Sequence, residues 1–65
     1  MPLKVREIIK LIEADGWRLH RTRGSHRHFV HDHKPGVVTI AGKPSGDLPI
    51  GTERSILKQA GITWR

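Results

Sequence analysis

Trp17-Arg18-Leu19-His20-Arg21-Thr22-Arg23-Gly24-Ser25-His26-Arg27-His28-Phe29 decides the fold, because apolar and polar residues alternate before a Gly-Ser break and a second patterned run follows it. Period-two alternation marks a half-buried strand, and a short break containing glycine between two such runs marks a hairpin. Over residues 17–22 the alternation sets Trp17 and Leu19 on one face and Arg18, His20 and Thr22 on the other. The second strand, residues 26–32, turns Phe29 inward and sets His26 and His28 together on the opposite face. Arg27 and His31 share the inward side with Phe29 and interrupt its apolar character.

Upstream of this hairpin, Val5, Ile8, Ile9 and Ile12 recur at the spacing of one helical face, with Lys4, Arg6, Lys10 and Glu13 on the solvated side. They specify an amphipathic helix over residues 3–15. Gly16 stands at the left-handed position past its end, and Trp17 is placed to fold back on Ile12. Downstream, Lys34-Pro35-Gly36 is a second tight turn, with Pro and Gly in the order of a type II geometry. A third strand covers residues 37–41. Residues 42–50 are too rich in Pro and Gly for regular structure, and loops of that length in small domains are often functional. A second helix, residues 51–60, turns Ile56, Leu57 and Ala60 inward, and Gly61-Ile62 repeats the glycine-then-apolar stop of the first.

The order is therefore α-β-β-β-α. Strands joined by turns this short form an antiparallel meander, since parallel pairing needs crossovers of a dozen or more residues. One face of the sheet must be covered, and only the two helices are available to cover it. The expected architecture is a two-layer α+β domain, residues 1–65, with both helices on one face of a three-stranded antiparallel sheet and the other face open.

At 65 residues a chain buries about 60% of the surface that its unfolded state exposes, so the core is small. There is no cysteine to staple it or to bind zinc through thiolates. Twelve Lys and Arg against six Asp and Glu give a formal charge of +6, and the pI is about 10.9. That charge points to a polyanionic partner. No apolar run approaches the roughly 20 residues of a membrane span, and the N-terminus lacks the order of a signal peptide, so a cytoplasmic location is expected. The basic residues concentrate in the centre, where Arg18, Arg21, Arg23, Arg27 and Lys34 face Asp32 as their only acid.

Five histidines, His20, His26, His28, His31 and His33, lie within the same central region. Three readings compete. The plainest is a solvated basic hairpin. A metal site is the second, because His26-x-His28 and His31-x-His33 each pair imidazoles on one strand face; it would require further ligands converging from elsewhere, His20 among the candidates. The third is acid–base chemistry on RNA. A neutral imidazole can take the proton of a ribose 2′-hydroxyl, which then attacks the adjacent phosphodiester without a metal. Arg21, Arg23 and Arg27 have the side chains to hold the phosphate, and Lys34 and Lys43 lie in loops that reach the same region. Ser25 is read as a turn residue at the RNA-binding edge, not as a nucleophile, because neighbours on a strand point to opposite faces. Trp17 is read as core. Trp64 has two readings, core or partner interface.

Three segments together resemble the HicA toxins of HicA–HicB toxin–antitoxin systems: Asp15-Gly16-Trp17, then Arg21-Thr22-Arg23-Gly24-Ser25-His26-Arg27-His28-Phe29 with its Gly-Ser-His-x-x-aromatic element, then Gly51-Thr52-Glu53-Arg54-Ser55-Ile56-Leu57-Lys58-Gln59-Ala60-Gly61-Ile62. The resemblance covers nearly the whole chain. It implies a fold similar to double-stranded-RNA-binding domains, ribosome-independent cleavage of mRNA, and His26 as the active-site histidine. It also implies a HicB antitoxin that binds and suppresses the toxin, and neither a cofactor nor a small-molecule substrate. His28 is the candidate assistant. Members of that family often carry Pro-x-His at the end of the third strand, where this chain has Ala41-Gly42-Lys43. The alternative of another class is a non-catalytic RNA-binding module with the same fold.

Overall fold

The computed structural model describes residues 3–62; Trp64 lies outside them. The elements run α1 (Val5–Ala14), β1 (Trp17–Arg23), β2 (His26–His31), β3 (Val38–Ala41) and α2 (Ile50–Gln59). The strands form one antiparallel sheet in the order β1-β2-β3, and the helices pack on one side of it. This is the α+β architecture read from the sequence.

The core lies between the layers. Val5, Ile8 and Ile12 of α1 meet Trp17, Phe29, Val38 and Ile40 of the sheet and Ile56, Leu57 and Ala60 of the α2 end, each at most 3% exposed. At about 1.5–3 kcal/mol for each large apolar side chain buried, these few residues carry most of the folding energy. Leu19 departs from the expected pattern. It pairs with Phe29 in the ladder, yet it is 51% exposed, and beyond Trp17 every residue of β1 is exposed. The helices cover the beginning of β1 only; level with Leu19 they bury Phe29 and Val38 but do not reach the edge strand. Ile9, expected in the core, is half-buried against it.

Both helices end as their glycines require. Gly16 adopts φ +105, and a Cβ there would stand 2.7 Å from the His31 ring, so no other residue fits. Its N–H donates to the Glu13 carbonyl at 3.0 Å. At the end of α2 the Schellman pair is complete, Gly61 N–H to Lys58 O and Ile62 N–H to Leu57 O.

The long 42–49 loop has a structural duty. Its Gly46 and Pro44 carbonyls accept from the N–H groups of Val5 and Arg6, at 2.9 and 3.0 Å, which satisfies donors that the first turn of α1 leaves unpaired. Leu48 enters the core while its N–H donates to Leu3 O, and Lys4 pairs with Asp47 at 3.0 Å. Glu7 accepts from the Lys4 N–H at 2.7 Å and completes the cap.

At the other end of the molecule a polar clasp joins three elements. The Lys34 ammonium donates to the Asp15 carboxylate and to the Ala60 and Gly61 carbonyls, at 2.5, 3.1 and 3.2 Å. Trp17 Nε1–H donates to the same Ala60 carbonyl at 3.1 Å. His31 Nε2 lies 2.7 Å from the Asp15 carbonyl, and its Nδ1 accepts from the N–H groups of His33 and Lys34. A carbonyl only accepts, so this imidazole is the neutral Nε2–H tautomer. The polar residue that interrupts the inward face of β2 is thus fully used by the scaffold.

Candidate nucleic-acid interface

The sheet face away from the helices is open, and its geometry begins at the hairpin turn. Arg23 pairs with His26, leaving Gly24 and Ser25 as a two-residue loop. Gly24 has φ +58, and Ser25 has no positive φ. That combination has the φ signs of a type II′ turn, one of the two that match strand twist. The turn fixes the register of His26 at the first position of β2.

Between Leu19 and Arg21 the ladder slips by one residue, so that His20 is a β-bulge. Strict alternation from Trp17 would have turned Arg21 and Arg23 toward the helix side and Thr22 outward. The bulge reverses this. Arg21 now pairs with His28, Thr22 with Arg27 and Arg23 with His26. Directly opposed residues share a face with Cβ atoms about 4.5–5.5 Å apart. The open face therefore carries two rows across the strands, Arg21·His28·Thr39 and Arg23·His26·Ala41.

Within the first row, His28 Nδ1 lies 3.0 Å from Thr39 Oγ1, which fixes the ring plane and leaves Nε2 for a ligand. His20, Arg21, Arg23, His28 and Val37 line a shallow groove of about 280 Å³ beside it. His26 is exposed and stands opposite the groove residue Arg23 in the ladder, with Ser25 exposed in the adjoining turn. Lys43 is exposed two residues beyond Ala41, the β3 partner of His26, and so stands at the same end of the sheet.

Arg27 and Lys34 are not brought to this face. Arg27 shares the helix side with Phe29 and donates to the Gly42 carbonyl at 2.9 Å, where it fastens β2 to the end of β3. Lys34 is held in the clasp at the far end of β2. His31 is likewise committed to backbone partners, and among the described residues no three His, Asp or Glu side chains are grouped to hold a metal ion. Alternation placed His20 on this face but did not reveal the bulge that brings Arg21 and Arg23 beside it, because the sequence carries no glycine or other bulge signal there.

Electrostatically the face is cationic. Arg21, Arg23 and Lys43 are exposed, and none of the three ion pairs among the described residues involves them. Arg18 is paired with Asp32 at 2.7 Å, and its guanidinium holds that carboxyl below the usual value of 3.8.

The family model for the HicA toxin of bacterial toxin–antitoxin systems matches residues 5–62. The chain belongs to the HicA toxin family. The match runs from the first residue of α1 to the Schellman stop after α2, so every element of this HicA domain lies within it. As a HicA toxin the protein is the toxin of a toxin–antitoxin system, with an antitoxin as its partner class. No curated protein sequence matches the chain. No helix among the described residues of this HicA chain is long and apolar enough to cross a membrane.

Proposed function

We propose that this HicA chain is an endoribonuclease that cleaves mRNA without the ribosome and without a metal. The observation that carries this reading is the Arg23–His26 pair on the open cationic face, with Arg21–His28 in the next row. Neutral His26 takes the proton from a ribose 2′-hydroxyl, and the 2′-oxygen attacks the adjacent phosphorus. Arg23, opposite His26, stabilises the charge gathering on the phosphate oxygens, with Arg21 and Lys43 supporting it. Transfer to the 2′-oxygen breaks the bond to the 5′-oxygen, which leaves with a proton supplied by an acid.

His28 is suited to that second role. Two residues along a strand separate it from His26 by about 6.6 Å on one face, enough to place base and acid on either side of one phosphate. With its Nδ1 engaged by Thr39, its Nε2–H is free to donate to the leaving oxygen. The products are a 2′,3′-cyclic phosphate and a 5′-hydroxyl. A HicB antitoxin would suppress the toxin by covering the His26 face in the cytoplasm of the producing cell.

The test is cleavage of a defined mRNA by purified protein in excess chelator, with end-group analysis. Wild type should leave cyclic phosphate ends, and His26→Ala should lower the rate by about 10²–10⁴-fold, the usual contribution of a general base. Cleavage undiminished by His26→Ala, or none by wild type, refutes it. Ala41-Gly42-Lys43, in place of the second histidine motif of the resemblance, favours the other reading, an RNA-binding module without turnover. Salt-dependent RNA binding with no cleavage under any condition would decide for that one.

A further inference from the structure

We propose that the groove beside His28 is a subsite for one unpaired ribonucleotide, so that the protein engages RNA as a locally single strand and not as duplex. This rests on the RNA reading of the same face. It goes further in saying which form of RNA fits and which residues read it.

The groove exists because of the bulge. Because His20 bulges instead of taking its turn in the alternation, Arg21 and Arg23 keep the outward face and an imidazole is added at the groove's β1 side, while Val37, just before β3, supplies the wall on the other. The lining therefore combines two guanidinium groups, two imidazoles and one aliphatic wall. Val37 is 53% exposed, an apolar surface left in water among cations. A phosphate alone would have no use for it. A base has an apolar face, and imidazole and guanidinium planes are stacking partners for unpaired bases. The cations take the phosphate of the same nucleotide.

Size and shape agree. At about 280 Å³ the groove lies just below the roughly 300–1,000 Å³ of sites that enclose a whole small ligand. It is shallow and open along the sheet, as a subsite for one unit of a longer polymer must be. A duplex cannot use it, because its bases keep both faces stacked and offer only edges in the grooves. The Thr39 contact holds the His28 ring at the boundary between this subsite and His26, so the nucleotide bound here is the neighbour of the scissile phosphate.

Binding should be measured with the His26→Ala protein, so that no turnover interferes and the result is independent of whether the wild type cleaves. The probes are a short mixed-sequence RNA and the same strand annealed to its complement, read by fluorescence anisotropy and by NMR of the Val37 methyls and the His20 and His28 rings. The single strand should bind at least tenfold more tightly than the duplex and shift those three signals. Val37→Glu should weaken single-strand binding by about tenfold, the low end of a lost base stack plus added repulsion. Equal affinity for the duplex, signals that do not move, or undiminished binding by Val37→Glu would each overturn the proposal. So would a purified antitoxin that shifts the three signals while RNA leaves them unchanged. Failure of cleavage with these binding results intact would refute only the nuclease reading.

Discussion

Replacing Trp17 with Phe separates scaffold from interface. The indole is 2% exposed and sits at the start of β1, with its ring edge-on to His31 at 5.3 Å and its Nε1–H on the Ala60 carbonyl at 3.1 Å. Phe loses that hydrogen bond, and a bond of this kind is worth about 0.5–1.5 kcal/mol. The low end applies, because Ala60 O keeps its bond from Lys34 Nζ and is not orphaned. The missing ring adds a void; complete truncation of a buried Trp costs about 3–5 kcal/mol, and losing the smaller ring about a third of that. The sum is about 2 kcal/mol. At about 4–8 °C per kcal/mol for a domain of this size, Tm should fall by roughly 8–16 °C. Circular dichroism would follow it, with a lower urea midpoint at unchanged slope. RNA affinity measured well below the new Tm should be unaltered, since Trp17 lies on the helix side. An unchanged Tm with a tenfold loss of RNA affinity would show that Trp17 is a base platform and refute its placement in the core.

Three further substitutions address charge. The Lys34 ammonium, hydrogen-bonded to Asp15, holds that carboxyl below its ordinary 3.8. The stabilisation is therefore present above that value and is lost as pH falls through the lower folded one. Asp15→Asn should flatten the acid branch of urea midpoint against pH, leaving a residual slope from Asp32, which Arg18 depresses in the same way; an unchanged acid branch would refute the clasp. The two arginines flanking His26 in sequence should behave differently. Arg23→Ala should reduce the slope of log affinity against log salt by about 0.7, the value of one phosphate on a single strand. Arg27→Ala should leave that slope intact and lower Tm, because its guanidinium is spent on Gly42 O; an equal loss of slope in both would place Arg27 on the RNA.

Most of the architecture was legible in residue patterns. The apolar spacing of α1, the glycine stops at Gly16 and Gly61 and the Gly24-Ser25 turn each express a local rule that tertiary contacts reinforce, and the elements fall within two residues of their expected ends. What local rules do not contain is how far the helix layer reaches. Leu19 has the right parity for the core, but nothing covers it. The bulge at His20 is also a property of the pair of strands and not of β1 alone, so alternation assigned Thr22 to the face that Arg21 and Arg23 occupy. Lys34 and Arg27 look like their neighbours in a basic stretch. Only the fold shows that their donors are consumed by carbonyls contributed from elsewhere in the chain. The Pro- and Gly-rich 42–49 loop is similar, because its cap on α1 is a contact over some forty residues of sequence.

The same bulge also bears on solubility. β1 is an edge strand, seven residues long and nearly bare of covering side chains, and an edge of that kind is a template on which a second copy can pair its own backbone. The slip at His20 breaks the regular row of free donors and acceptors halfway along, and Arg18, Arg21 and Arg23 add repulsion between copies. β3, the opposite edge, is only four residues long. A variant regularised by deleting His20 would keep Arg21 opposite His28 and Arg23 opposite His26, so both arginines would still face outward. It would nevertheless expose an uninterrupted edge, on which a second copy can pair its backbone.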